Sequence, residues 1–348
     1  MKKGLLIFTF LFIVLFSALL AFFIYFDFHR KREIQKVLFE IKVGESLKSI
    51  SERLEDLGII RSSTIFYIFS RNHYKDFRAG EYLIEGFVSP SDLIDIFTKG
   101  PTVRRQITVV PCWTIYHIAD ELLNQNIIED RNEFIRYSFD EDFLSSIGIN
   151  FGSAEGFLYP DTYYFFKGTD PRDIITKMVE NFFMKVGNER INLAENKLGL
   201  YTVLILASIV ESEAHFEFEK PVIASVYLNR LKIGMPLQAD PTVMYGLRIF
   251  DRPPLPSDLR KDNEYNTYTR RGLPPTPICN PLVSSIDAVL KPKKTNFLYF
   301  VARPDGTHFF SKTYDEHIQN IKRARAERNK EDLQDDQISS DLPMTQEK

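Results

Sequence analysis

The sequence of 348 residues has few of the features that mark several common classes of protein. Its two cysteines, Cys112 and Cys279, are too few for a disulfide framework, and they could pair, be free or be buried. None of the six histidines has the spacing of a metal-binding motif such as HExxH, so we expect no metal. A glycine-rich phosphate loop and a GxSxG nucleophile motif are also absent. The sequence therefore predicts no cofactor.

The charge balance of the chain does not indicate a highly charged partner. The formal net charge is -3, which gives no support for binding nucleic acid, because such proteins usually carry a basic face. Hydrophobic residues make up 44% and charged residues 26% of the chain, as in ordinary globular proteins. The length allows two or three domains.

The N-terminus carries one long apolar run. Residues 4–26 contain no charged side chain and, as a helix, would span the roughly 30 Å hydrocarbon core of a bilayer. We interpret residues 1–36 as a short stub followed by an uncleaved membrane anchor; a buried core helix is the alternative. Positive residues flank both ends of the run, so its orientation stays open on charge alone.

An internal similarity follows the anchor. The segment from Ser46 (SLKSISERLEDLGII) resembles the segment from Thr114 (TIYHIADELLNQNII), offset by 68 residues. Ser or Thr is a favourable N-cap, and Gly58 and Asn126 are residue types that readily end a helix in the left-handed conformation. The pattern predicts one helix occurring twice, each within a unit of strand, helix, helix, strand and helix.

These patterns predict an α+β protein with several regions. Residues 37–105 would form the first repeat copy, and 106–321 a mixed α+β catalytic domain in which 106–185 is the second copy and 186–321 carries the active site. Residues 322–348 are charged and poor in apolar side chains, which predicts the end of a helix and then a disordered tail.

The segment LILASIVESEA, residues 204–214, places two acids after an almost wholly apolar run. Residues two apart on a helix point in different directions, so Glu211 and Glu213 should have different surroundings. A carboxyl group at the end of an apolar helix loses hydration, which favours its protonated form, as a general acid requires. The alternative is an exposed glutamate at the solvent end of a core helix.

Further polar and aromatic side chains follow within the same region. Aromatic rings can stack on the apolar faces of sugars, and amides can bind hydroxyl and N-acetyl groups, although a packed loop with capping side chains would use the same residue types. Asp240 could equally be a helix cap. The candidate binding residues are Ser208, Asn229, Gln238, Asp240, Tyr265, Asn266, Thr267 and Tyr268.

Several long motifs, in order, resemble those of the MltG (YceG-like) family of endolytic murein transglycosylases. They are EGFLYPDTYYF from Glu155, ASIVESEA, IASVYLNRLKIGMPLQADPTVMYG, YNTYTRRGLPP and FLYFVARPDGTHFFS. The resemblance covers about residues 37–320, and the segment FEIKVGESLKSISERL is similar to a LysM-like subdomain. Glu155 joins the candidate substrate-binding residues through this resemblance.

The resemblance implies a reaction. The family's catalytic glutamate falls on Glu211, which would protonate the glycosidic oxygen between N-acetylmuramic acid and N-acetylglucosamine. It would then accept the proton of the muramic 6-hydroxyl, which closes a 1,6-anhydro ring. Because the substrate supplies the nucleophile, one acid suffices, and Glu213 would orient neighbours or contact sugar.

The resemblance also implies a location and partners. The N-terminus would be cytoplasmic and the catalytic part outside the cytoplasmic (inner) membrane of a bacterium, where it would cleave nascent peptidoglycan strands and end their elongation. Peptidoglycan synthases are candidate protein partners, and no nucleic acid is expected. Two alternatives remain: a hydrolytic muramidase in which Asp240 or Glu213 activates water, and a non-catalytic wall-binding scaffold.

Overall fold

A computed structural model describes the backbone of residues 2–340 and the side chains of residues 5–330. The chain divides into two compact units. The first holds the chain up to Ile107 together with residues 124–129 and 164–169, and the second holds the remaining described residues. The sequence instead places the two short returning segments within the second repeat copy, 106–185.

The first helix, α1 (Lys2–His29), is the apolar run expected at the N-terminus. Its segment Leu5–His29 is long and apolar enough to cross a membrane, and none of its most apolar window is buried within the protein. Only its end is packed: the buried ring of Phe28 stacks on Phe69 with the ring centres 4.3 Å apart. The alternative interpretation of this segment as a buried core helix is therefore wrong.

The rest of the first unit surrounds a small antiparallel sheet. Strand β1 pairs with β2 along its whole length, with an irregularity between Ile34 and Val37. Buried side chains from the sheet and the helices, among them Phe39, Leu54 and Phe97, form one core. In chain order the elements are β1 (Arg32–Ile41), α2 (Leu47–Asp56), α3 (Ser63–Ser70), β2 (Gly80–Val88) and α4 (Pro90–Lys99).

The following elements lead into the second unit. Strands β3 and β4 form a second two-stranded sheet. Helix α8 is interrupted at Gly187, whose φ of 76° is not helical. The elements are β3 (Arg104–Thr108), α5 (Ile115–Asn124), α6 (Arg131–Tyr137), α7 (Glu141–Ser146), β4 (Thr162–Phe166) and α8 (Pro171–Lys197).

Helices dominate the remainder of the second unit. Helix α9 contacts α10, α11 and α12, and its apolar face forms much of the core. A third antiparallel pair, β5 with β6, closes around the Pro-Asp-Gly turn as the sequence predicts. The elements are α9 (Leu200–Glu213), α10 (Lys220–Lys232), α11 (Asp240–Leu247), α12 (Val283–Leu290), β5 (Tyr299–Ala302), β6 (His308–Ser311) and α13 (Tyr314–Ser340).

Helix ends follow the expected capping chemistry in most places. The side chain of Ser46 accepts a hydrogen bond from the Ser49 amide at the start of α2. Gly58 and Asn126 both have left-handed φ values, 70° and 52°. Because these interactions are local, the sequence pattern was sufficient to predict them.

Three local predictions differ from the structure. The segment beginning at Gly156 is a series of turns, and the strand expected there begins only at Thr162. The pair Asn280–Pro281 resembles a helix start in sequence, but α12 starts at Val283 and the side chain of Asn280 bonds within a buried network. Helix α13 continues through Ser340, so the helix end that the sequence predicts from about residue 322 is longer than expected. The rest of that tail lies outside the described residues.

The two cysteines, left open by the sequence, form a disulfide. Cys112 and Cys279 are joined with their Cα atoms 4.7 Å apart, and they lie 167 residues apart in sequence. The bond connects the segment that leads into α5 with the segment that precedes α12. It is thus a covalent link across the second unit.

Candidate active site

Helix α9 presents its two C-terminal carboxylates in opposite directions. Successive residues of an α-helix are rotated by about 100°, so residues two apart differ by about 200°. The apolar residues before them, from Val203 to Val210, are buried. Glu211 and Glu213 therefore leave the same core helix into two different environments, as the sequence predicts.

Glu211 is engaged in a buried ion pair. Its carboxylate oxygens lie 3.1 and 3.3 Å from Nζ of Lys220, and the two side chains are only 6% and 3% exposed. Oε2 also accepts hydrogen bonds from the amide of Leu282 at 3.0 Å and from Oγ of Ser285 at 2.6 Å. Through these contacts Glu211 joins α9 to the start of α10 and caps α12.

Glu213 instead lines a cavity of about 330 Å³. Oε1 of its carboxyl group accepts a hydrogen bond of 2.8 Å from the hydroxyl of Tyr227. Aromatic rings and polar groups share the cavity wall, as is usual in ligand sites. The lining residues are Glu213, Tyr227, Arg230, Gln238, Asp240, Tyr268, Tyr299, Phe300, Tyr314 and His317.

The surroundings of Glu213 favour its protonated form. Loss of hydration within the protein, together with the negative charge of Asp240, raises the pKa of this carboxyl group to about 7. The hydrogen bond from Tyr227 and the charge of Arg230 act in the opposite direction but do not cancel the effect. A carboxyl group that titrates near neutral pH can both donate and accept a proton there.

The second carboxylate of the cavity, Asp240, begins α11. It makes no side-chain capping bond to its own helix; the preceding residue, Ala239, occupies the N-cap position. Its Oδ1 accepts a hydrogen bond from the hydroxyl of Tyr268 instead. Asp240 is therefore part of the cavity wall, and the helix-cap interpretation is wrong.

Several cavity residues are absent from the sequence-based candidates. Arg230 donates from Nε to the carbonyl oxygen of Leu298 at 2.6 Å, and its guanidinium lies 5.4 Å from the ring centre of Tyr299. His317 stacks on the same ring at 5.1 Å, and its Nδ1 has no hydrogen-bond partner among the described residues. The aromatic run FLYF, residues 297–300, was the available signal, but in sequence it reads as an ordinary strand.

Comparison with known sequences identifies the family. The sequence profile of the YceG-like family matches residues 39–323, which is most of the chain. The protein belongs to the YceG-like family.

Its relatives agree with this assignment. The protein is 33% identical over 297 residues to the "Endolytic murein transglycosylase" of Bacillus subtilis, a match covering 80% of this chain and 81% of that one. It is 26% identical over 313 residues to the protein of the same name from Streptococcus pneumoniae (strain D39), covering 81% of this chain and 57% of the relative. A YceG-like protein of Listeria monocytogenes has a similar solved structure, with a TM-score of 0.57, 32% identity and coverage of 82% and 98%.

In this YceG-like chain, four of the sequence-based candidates meet in the Glu213 cavity: Glu213, Gln238, Asp240 and Tyr268. Four others are buried and bond within the protein, and their contact with substrate stays a prediction. Ser208, Asn266 and Thr267 bond to backbone groups of nearby segments, and Glu155 lies in a polar network; all four are at most 2% exposed.

Two further candidates lie elsewhere. Asn229 donates from Nδ2 to the carbonyl oxygens of Thr295 and Phe297, each at 3.0 Å, and so fixes the segment before β5. Tyr265 lines a separate cavity and its hydroxyl hydrogen-bonds Thr276 at 3.0 Å. Neither residue lines the Glu213 cavity.

Glu155 lies at the centre of a buried polar network. Its carboxyl group accepts hydrogen bonds from the amide of Ile115, the hydroxyl of Tyr245 and Nδ2 of Asn280. Burial raises the pKa of Glu155 to about 8 in spite of these donors. The Oδ1 atom of Asn280 in turn accepts from the amides of Gly156 and Leu158, each at 2.9 Å. The network ties the turn segment to α5, α11 and the disulfide region.

We predict that Glu211→Gln lowers stability. The substitution leaves the Lys220 ammonium without its buried counter-charge, which should cost about 3 kcal/mol in the free energy of unfolding. Glu217→Gln is the matched control, because Glu217 pairs with the same ammonium but is 64% exposed, so its loss should cost about 1 kcal/mol or less. Chemical denaturation of both variants measures the difference, and equal losses would contradict the assignment.

Proposed function

We propose that the protein is an endolytic peptidoglycan lytic transglycosylase that cleaves between N-acetylmuramic acid and N-acetylglucosamine. Membership of the YceG-like family and relatives named endolytic murein transglycosylases support this activity. The observation that carries the chemistry is a partly exposed glutamate, Glu213, whose carboxyl group titrates near neutral pH inside a cavity lined by aromatic and polar side chains.

Within this proposal Glu213 takes the role that the family resemblance alone gave to Glu211. Protonated Glu213 would donate to the glycosidic oxygen as the bond to C1 of the muramic sugar breaks. The resulting carboxylate would accept the proton of the muramic 6-hydroxyl as that oxygen bonds to C1. The products are a 1,6-anhydro end and a free 4-hydroxyl, so atoms and protons balance without water. Glu211, bonded to Lys220, Ser285 and Leu282, would act as scaffold.

The neighbours of Glu213 support these roles. The hydroxyl of Tyr227 orients the carboxyl group through Oε1 and leaves Oε2 for the substrate. The rings of Tyr299 and Phe300 offer surfaces on which sugar faces could stack, and Gln238 offers an exposed amide. The cavity thus combines proton transfer with groups suited to a neutral, hydroxyl-rich ligand.

A second candidate activity is hydrolysis of the same bond. Asp240 shares the cavity with Glu213, and hydrolytic glycosidases generally use two carboxylates. In that case Asp240 would activate a water molecule and the product would have a reducing end. Mass spectrometry of digested glycan separates the two activities, because the anhydro product is lighter by one water.

The central prediction concerns the two glutamates. Glu213→Gln should reduce formation of anhydro ends by about 10²–10⁴-fold, because glutamine can neither donate nor accept the proton. Glu211→Gln is the matched variant on the same helix. Its amide oxygen can still accept the hydrogen bonds of Leu282 and Ser285, so it should lose far less activity per folded molecule than Glu213→Gln. Chromatography of digested glycan strands measures both. The reverse result, with Glu211→Gln inactive and Glu213→Gln active, would return the catalytic role to Glu211.

The pKa of Glu213 predicts a pH profile. The acid acts in its protonated form, which is present below about pH 7 and is lost as the pH rises, so the rate should fall on the alkaline side. The charge of Asp240 raises this pKa, so Asp240→Asn should move the alkaline limb to lower pH. Initial rates between pH 5 and 9 test this prediction, and a profile that stays flat through about pH 8 would contradict it.

We propose further that α1 is a single-pass anchor with its N-terminus in the cytoplasm. The Cys112–Cys279 disulfide supports an extracytoplasmic catalytic region, because disulfides persist mainly in oxidising compartments. Anchoring would keep the cavity close to the membrane, where new strands emerge, so cleavage would end their elongation. Peptidoglycan synthases would then be natural neighbours, which crosslinking in cells can test.

Removal of the anchor provides the corresponding prediction. Deleting residues 1–30 should release the protein from the membrane and lengthen the glycan strands of cells that carry only this form. Chromatographic strand-length analysis measures the effect, and normal strands made by a released protein would contradict it. Added protease should digest the full chain beyond α1 in intact spheroplasts; protection there would contradict the orientation.

We also propose that the first unit contains a LysM-like module and that residues 106–185 repeat its fold. In both copies two strands enclose helices and a further helix follows; the second copy has the additional helix α7. Gly58 and Asn126, at equivalent helix ends in the two copies, share the left-handed conformation, which supports a common origin. Superposition of the Cα traces of the two copies tests it, and dissimilar helix orientations would contradict it.

A further inference from the structure

A second cavity, separate from the one lined by Glu213, lies at the opposite end of α11 from Asp240. Its volume is about 470 Å³. The side chains that matter here are Tyr116, Tyr245, Arg248, Asn263, Glu264 and Tyr265. All of them belong to the second unit.

Two opposite charges face this cavity without neutralising each other. The exposed guanidinium of Arg248 lies 4.7 Å from the ring centre of Tyr116, and Glu264 is exposed on the facing loop. Within the described part of the chain, neither makes an ion pair within 4 Å of an opposite charge. A cation held over an aromatic ring and a separate carboxylate can together bind a ligand that carries both an anionic and a cationic group.

The wall between these charges contains a hydrogen-bond donor without a partner among the described residues. Oδ1 of Asn263 accepts from the Tyr265 amide at 2.9 Å, whereas Nδ2 has no hydrogen-bond partner among the described residues. Gly246 permits this packing, since a side chain there would collide with the Asn263 amide and with Cβ of Tyr265. A ligand carbonyl or carboxylate that reaches the wall could satisfy the donor.

The same helix and the same loop contribute residues to this cavity and to the Glu213 cavity. Helix α11 places Asp240 at one and Arg248 just past its other end, eight residues or about 12 Å along the axis. The following loop does the same, with Tyr265 in one cavity and Tyr268 in the other. A branched ligand could therefore occupy both at once, with its position in one fixing its position in the other.

We propose that the Arg248–Glu264 cavity binds the stem peptide of the strand being cleaved. This rests on the proposed function: peptidoglycan stems are short peptides attached to the muramic sugar, and they carry free carboxylate and ammonium groups. Arg248 would pair with a stem carboxylate, Glu264 with an ammonium group, and Nδ2 of Asn263 with a peptide carbonyl. The site would select muramic residues that bear a stem for cleavage at Glu213.

The test compares glycan strands that carry stem peptides with the same strands after an amidase has removed them. The full-length protein should cleave the peptide-bearing strands with the higher kcat/KM. Arg248→Gln should lower kcat/KM on those strands by about tenfold or more and leave the rate on bare strands unchanged, because only one charge-assisted contact is lost. Arg271→Gln, an exposed arginine outside the cavity, is the matched control and should behave as the wild type.

Direct binding keeps this proposal separate from the catalytic one. Calorimetry with a soluble muramyl stem peptide and the full-length Glu213→Gln protein should show binding that Arg248→Gln or Glu264→Gln weakens about tenfold. Absence of binding, equal cleavage of both strands by the wild type, or an equal loss on both strands in Arg248→Gln would overturn the proposal. If the stem peptide binds but the wild-type protein cleaves neither kind of strand, the binding proposal stands and the proposed activity is overturned.

Discussion

The buried ion pair between Glu211 and Lys220 is the contact on which the candidate site depends. It joins the end of α9 to the beginning of α10, and the same carboxylate caps α12 through Leu282. Burying two opposite charges is stable only when their remaining hydrogen bonds are satisfied, and here Ser284 and Ser285 supply them. With these three helices fixed, the last residue of α9 has a defined direction, and that residue is Glu213.

Helix geometry then gives the two acids different surroundings. One helix delivers both, but the rotation between them places Glu211 among cationic and hydroxyl donors and Glu213 in a cavity with Asp240. The sequence predicted this separation, together with the buried apolar run. It could not predict which acid faces the cavity, because that depends on Lys220 and Ser285, which reach Glu211 only in the folded chain.

The same distinction holds for the fold. Local signals predicted the anchor, the cap at Ser46 and the β5–β6 hairpin, since each requires only neighbouring residues. The turns after Glu155 were mistaken for a strand because their conformation depends on Asn280, more than a hundred residues away in sequence. Ser208 and Asn229 resemble ligand-binding residues in sequence for the same reason, because each side chain bonds to backbone groups more than sixty residues away along the chain.

The presence of Asp240 beside Glu213 does not by itself favour hydrolysis. Its Oδ1 already accepts a hydrogen bond from the hydroxyl of Tyr268, so one of its oxygens is occupied by an orienting bond. Its negative charge raises the pKa of Glu213, which favours the protonated acid that the proposed mechanism requires. The same charge would stabilise the positive charge that develops on the sugar ring in glycoside cleavage. A carboxylate in this position thus serves a single-acid mechanism, and the muramic 6-hydroxyl can still supply the nucleophile.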